Sequence, residues 1–307
     1  MPTSNENTIL EKLVQKFAPQ SILLRSWTLT GGVSAQVTAL EIERPDSSIE
    51  KWVVRQHGAA DLKHNPRIAA NEYTLLQRLH AAGLAVPRPY FLDESGDLFP
   101  TPILVMEYIE GQTTSNDLHN HELNDYLGQM ADHLARIHTI AGTDLPFLPQ
   151  QGSTYTRMFR ERPAKQDDSL EEGRIRDALE AVGPLKDHNP PVLLHGDFWP
   201  GNLLWKNSQL AAIIDWEDAA VGNPLADLGN ARLEILWAYG VEAMTYFTQE
   251  YHSRTPFKAR NLPYWDLCAA LRPASKLSTW GLEAETEGRM RERHHLFVNQ
   301  AFERLAF

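Results

Sequence analysis

Hydrophobic and polar positions follow two periods along this chain, and the change of period divides it. Ser26–Thr30, Ala35–Ile42 and Lys51–Gln56 are short, β-branched or alternating runs that predict strands. Gly31-Gly32 lies between the first two, as a hairpin turn requires. From Pro66 to Ala82 the period lengthens: Ile68, Tyr73, Leu75, Leu76 and Leu79 share helical spacing. Asn65 is the expected N-cap of this helix, Pro66 its first residue and Gly83 its stop. Arg88–Leu92 and Ile103–Tyr108 then complete a sheet of about five strands.

Beyond Gly111 the pattern is mostly helical. Glu122–Ile140, Leu170–Val182, Pro224–Tyr239, Glu242–His252, Tyr264–Trp280 and Glu285–Leu305 are the predicted helices. A cluster of short apolar runs interrupts them, Val192–Leu194, Leu203–Trp205 and Ala211–Ile214, separated by polar turns. Residues 150–168 carry Gly, Pro, Arg and Asp and predict a loop. A β-rich first part and a helical second part predict an α+β protein of two lobes with a cleft, residues 1–108 and 109–307.

Composition narrows the class. The 307 residues, 42% of them hydrophobic, suffice for one large domain or two smaller ones. A single cysteine, Cys268, excludes an intramolecular disulfide framework and fits a reducing compartment. Residues Met1–Lys12 lack the pattern of a signal peptide, and no apolar run has the length of a membrane span. The expectation is a soluble cytoplasmic protein. A formal charge of −11 argues against general affinity for nucleic acid and favours a cationic or neutral partner. An anion such as ATP remains compatible through a few local cations and a metal.

The candidate chemistry lies in the interrupted segment. His195-Gly196-Asp197 opens a Gly/Pro-rich loop, and Asn202 follows Asp197 after four intervening residues. Ile213-Ile214-Asp215-Trp216-Glu217 then places another carboxylate at the end of a short strand. Two carboxylates and an amide at neighbouring strand ends supply hard oxygens, which suit Mg²⁺ and not a structural zinc. The order matches phosphoryl transfer, in which one Asp orients and deprotonates a hydroxyl while an Asn and a second Asp hold metal on the phosphates.

Together with Gly222-Asn223-Pro224 and Asp227-Leu228, these motifs resemble the aminoglycoside phosphotransferase and choline kinase-like family, small-molecule kinases of the protein-kinase-like fold. The resemblance covers roughly residues 25–240. It implies ATP and Mg²⁺ as cofactors, a small-molecule hydroxyl as acceptor, Asp197 as catalytic base, and Asn202 and Asp215 as metal ligands. By the same resemblance, Gly31, Gly32 and Ser34 cover the nucleotide. The backbones of Glu107 and Ile109 would bond the adenine, and Met106 would line its pocket.

The departure is Arg55. Kinases of this fold place a Lys on the third strand to contact the phosphates, paired with a helix Glu. Alternation along Lys51–Gln56 puts Lys51, Val53 and Arg55 on one face. Arg55 is the expected phosphate contact and Glu72 its helix partner, against the plain alternative of an exposed strand Arg and an exposed helix Glu. His195 and Asp227 are expected to brace the loop, and Glu217 and Asp218 to form a solvated turn or face a substrate. His133 and His138 fit helix packing or surface positions. Trp237, Tyr264, Trp265 and Trp280 fit either an acceptor pocket or core. A regulatory, nucleotide-binding pseudokinase and a metal-dependent hydrolase using His195, Asp197 and Asp215 remain as rivals.

Overall fold

The computed structural model describes residues 4–29, 35–113, 120–152, 161–183 and 189–305. The chain forms two compact units, Met1–Gly111 with Ala211–Glu217, and Gln112–Leu210 with Asp218–Phe307. Ala211–Glu217 thus belongs with the first unit, which a single cut at 108/109 does not anticipate.

In the first unit, β1 (Ile22–Thr28), β2 (Ala35–Glu43), β3 (Ile49–His57), β4 (Pro89–Asp93) and β5 (Ile103–Glu107) form one antiparallel sheet in the order β1-β2-β3-β5-β4. Before it comes α1 (Ser4–Phe17), a helix the sequence analysis did not assign. Leu10, Leu13 and Val14 of α1 pack on Leu40, Ile42, Trp52, Val54, Ile103 and Val105, the apolar face of the sheet. Burial of residues this size contributes about 1.5–3 kcal/mol each. Trp52 and Val54 face α1, so the alternation of β3 turns Val53, Arg55 and His57 to the other face. There α3 (Ile68–Ala81) packs, with Leu75, Leu76 and Leu79 buried.

Asn65 does not cap α3. It terminates a short preceding helix, α2 (Ala59–His64), in an extended conformation with φ −136° and ψ 92°. A proline disfavours helical geometry in the residue before it, so Asn65-Pro66 separates two helices instead of starting one. The Asn65 side chain accepts the Arg67 N–H at 3.1 Å within that turn. Gly83 does stop α3: its φ is +74°, and Leu84 N–H reaches back to the Leu79 carbonyl at 3.0 Å.

In the second unit the described helices are α4 (Asn120–Ile137), α5 (Glu172–Val182), α6 (Leu225–Tyr239), α7 (Val241–Arg254), α8 (Leu262–Leu271) and α9 (Ala284–Arg304). α4 packs on α7, and α6 packs on α7, α8 and α9. The helix expected over Tyr264–Trp280 ends at Leu271, because Pro273 cannot continue it. A buried ion pair from Arg232 to both oxygens of Asp266, at 3.0 and 3.1 Å, joins α6 to α8. Two short strands, β6 (Val192–Leu194) and β9 (Ala220–Gly222), pair antiparallel. β7 (Leu203–Lys206) leads through Asn207-Ser208, both at positive φ, into β8 (Gln209–Ile213). No helix among the described residues is long and apolar enough to cross a membrane.

Candidate active site

The loop after β6 is fixed by its backbone. Gly196 has φ +84°, and a Cβ there would stand 2.1 Å from the Asp218 carbonyl oxygen, so only glycine fits. Asp227, in the first turn of α6, is buried and accepts the backbone N–H groups of His195 at 2.7 Å and Gly196 at 3.0 Å. His138 Nε2 stands 3.3 Å from the same carboxylate, and His138 Nδ1 lies 2.6 Å from the Tyr251 hydroxyl. Burial acts against the charge of Asp227, but His138, His195 and the backbone donors outweigh it and hold the carboxyl below its ordinary value. Burial, then the nearby Asp227, pushes the Tyr251 phenol up, so its hydroxyl stays protonated beside the ring. His138 therefore belongs to a buried relay and not to the surface.

His195 is fully buried, and its Nδ1 accepts the Asp197 N–H at 3.2 Å. The imidazole is thereby used in shaping the loop, which is not the arrangement of a metal ligand. Asp197 is half-buried. Asn202 donates from Nδ2 to the Asp197 carbonyl at 2.9 Å and to Oδ2 at 3.2 Å. That orientation uses the Asn202 amide nitrogen and leaves its oxygen for another role. Arg272 donates to Asp197 Oδ1 at 3.0 Å and to the Gly196 carbonyl at 2.7 Å. This cation on the loop had no counterpart in the sequence expectations.

Arg55, Glu72 and Asp215 come together in the first unit. Arg55 is buried on β3, with Nε 3.5 Å from Glu72 of α3. Its Nη2 bonds Asp215 at 2.7 Å and Glu217 at 2.6 Å. Burial disfavours the guanidinium charge, but Glu72, then Asp215 and Glu217, outweigh it and raise the group above its ordinary range. Glu72 is buried too; Arg55 and His57 outweigh that burial and hold its carboxyl low. The exposed reading of Arg55 and Glu72 is therefore wrong, and Glu217 is an ion-pair partner instead of a solvated turn. Asp215 itself has φ +66°, a left-handed geometry that Asp tolerates better than most residues.

For Mg²⁺, the donor chemistry fits. In this unit one guanidinium faces three carboxylates, an excess of hard anionic oxygen that suits a divalent cation. Ligand-capable atoms of His57, Asp61 and Glu217 also lie within 4.8 Å of one another, although Glu217 already holds Arg55. Met106, on β5, is buried, and Glu107 N–H bonds the Arg88 carbonyl at 2.9 Å. Ile109 follows β5. The expected nucleotide contacts Gly31, Gly32 and Ser34 lie outside the described residues.

In the loop, Trp199 is exposed; in the first unit, Trp216 is buried with its indole N–H on the Ile213 carbonyl at 3.0 Å. Trp237, Tyr264 and Trp265 are core residues, and Trp280 alone of that aromatic set is exposed. Glu234, on α6, is partly buried, and burial together with Asp197 pushes its carboxyl up to about 8 against the pull of Arg272. An unfolded Glu ionises near 4.5, so folding stability falls as pH rises from there to about 8. Glu234→Gln, which does not titrate, should flatten that part of the stability profile, read by urea unfolding at pH 5 and pH 8.

Comparison with known proteins places this geometry. The model of the phosphotransferase enzyme family, APH, matches residues 28–262. Solved structures share the fold at low identity. An aminoglycoside 2'-phosphotransferase-IIIa in complex with GDP superposes with TM-score 0.66 at 16% identity, over 98% of this chain and 97% of that one. A macrolide 2'-phosphotransferase type I gives TM-score 0.61 at 18% identity, over 100% and 98%. Human acyl-CoA dehydrogenase family member 11 is 23% identical over 246 residues, 75% of this chain and 31% of that protein. Mouse acyl-CoA dehydrogenase family member 10 is 25% identical over 191 residues, 57% and 18%. This chain spans less than a third of the length of these curated relatives. With its antiparallel sheet, its helical second unit and a family match over residues 28–262, the chain belongs to the phosphotransferase enzyme family.

Proposed function

We propose that the protein transfers the γ-phosphate of ATP to a hydroxyl of a small molecule. The observation that carries this reading is the braced loop: Asp227 holds the backbone at His195 and Gly196 while Asn202 holds Asp197. In it, Asp197 orients the acceptor hydroxyl and takes its proton. Asn202 and Asp215 would hold Mg²⁺, which neutralises charge on the transferring phosphates when bound. Arg55 supports the phosphates with Glu72 behind it; an Arg serves here because its planar fork binds oxygens in pairs. Met106, Glu107 and Ile109 would receive the adenine, and Gly31, Gly32 and Ser34 the phosphates. Catalysis of this kind is mainly positioning and charge neutralisation.

Relatives of the fold have been solved with GDP, with ADP and hygromycin B, and with GDP and kanamycin. The acceptor proposed here is a cationic or neutral hydroxyl compound in a cytoplasmic setting, with GTP tested beside ATP. The deciding experiment is a metabolite screen for nucleotide consumption, wild type against Asp197→Ala. Consumption should require Mg²⁺, an acceptor and Asp197. ATP should raise the unfolding temperature more with Mg²⁺ than with EDTA. Hydrolysis of a compound without nucleotide would replace this reading with the metal-dependent hydrolase.

A further inference from the structure

We infer that Arg272 is a positioning residue for the proposed base, holding Asp197 in the rotamer that meets the acceptor hydroxyl. The inference rests on the assignment of Asp197 given above. One guanidinium bridges the main chain and the side chain of the loop: Nη1 donates to the Gly196 carbonyl at 2.7 Å and Nη2 to Asp197 Oδ1 at 3.0 Å. The Asp197 side chain is about one-third exposed, so on its own it would sample several rotamers. Asn202 holds the other oxygen at 3.2 Å, so the carboxylate plane is defined from both ends. Each carboxylate oxygen has two lone-pair directions, which leaves room for the acceptor's O–H.

Arg272 is itself held in place. It is the C-cap of α8, with its N–H on the Ala269 carbonyl at 3.0 Å. The buried Arg232–Asp266 pair fastens α8 to α6, and α6 carries Asp227, which braces the same loop. The loop is therefore gripped from α6 through its backbone and from α8 through its reactive side chain. Exposed ion pairs contribute little to stability, so the value of this contact lies in geometry. Misplacing a reacting group by about 1 Å can cost about 100-fold in rate. A lysine offers one point of charge and cannot bridge both acceptors as the planar fork does.

The test uses the full chain with Mg²⁺ and ATP, with water as the acceptor and then any compound the screen identifies. Arg272→Ala should lower kcat about 100-fold, with the KM for ATP within about twofold of wild type. Arg272→Lys should recover part of the loss. Free guanidinium ion should restore Arg272→Ala in part and Asp197→Ala not at all. An unchanged kcat in Arg272→Ala overturns the inference. So does a loss that follows a lowered unfolding midpoint and responds to neither lysine nor guanidinium, since that is the behaviour of a structural tether. ATP turnover that is absent in wild type, or insensitive to Asp197→Ala, overturns the assignment of Asp197 instead.

Discussion

Asp197→Asn should reduce turnover by about 10²–10⁴-fold, the range that a positioned general base contributes. The substitution keeps the shape of the side chain. Its amide oxygen can still accept from Arg272 or from Asn202, so the loop keeps most of its hydrogen bonds. What disappears is the group proposed to take the proton from the acceptor. The KM for ATP should stay within a few-fold, because the proposed nucleotide contacts lie on other residues. Steady-state kinetics on the identified acceptor measures both quantities, and a retained kcat would remove Asp197 from the mechanism.

Asp227→Ala, in the first turn of α6, should strongly destabilise the loop that follows β6. It leaves the His195 and Gly196 amides and the His138 ring without their shared acceptor. Breaking a buried charged network of this kind costs about 3 kcal/mol. The amides of His195 and Gly196 should then exchange with deuterium much faster than in wild type. Unchanged protection would show that the loop is held by something else. The pH dependence has a definite sign. The folded Asp227 carboxyl lies below the unfolded value of 3.8, so its contribution is complete above that value. It disappears as the pH falls through the lower folded value. The difference between wild type and variant should therefore shrink in strong acid.

The parts of this molecule that were legible in the sequence are those whose chemistry is local. Asp197 and Asn202 share one short loop, and the pairing of Arg55 with Glu72 is what the family resemblance implies for a strand and a helix close in sequence. Arg272 carries no such signal. It sits 75 residues from Asp197 in an otherwise apolar helix end, and only the packing of α8 brings it to the loop. Glu217 read as a turn residue because its partner, Arg55, is 162 positions away. The α1 helix shows the opposite case: Leu10, Leu13, Val14 and Phe17 carry helical spacing, a local signal for a helix over Ser4–Phe17. Pro273 marked the end of α8 in plain sight, and the apolar run around it concealed the break.

The passage of Ala211–Glu217 into the first unit has a consequence for how the protein is made. Synthesis proceeds from the N-terminus, so the sheet and α3 emerge well before Asp215 and Glu217 exist. During that interval Arg55 has Glu72 as its only partner among the three carboxylates that finally surround it. The Ala85 carbonyl likewise waits for the Ile213 N–H that it receives at 2.8 Å. The first unit is therefore completed by a late segment of the chain, which arrives only after the proposed catalytic loop has been synthesised. A nascent chain cannot finish the first unit before it holds the groups proposed for chemistry in the second.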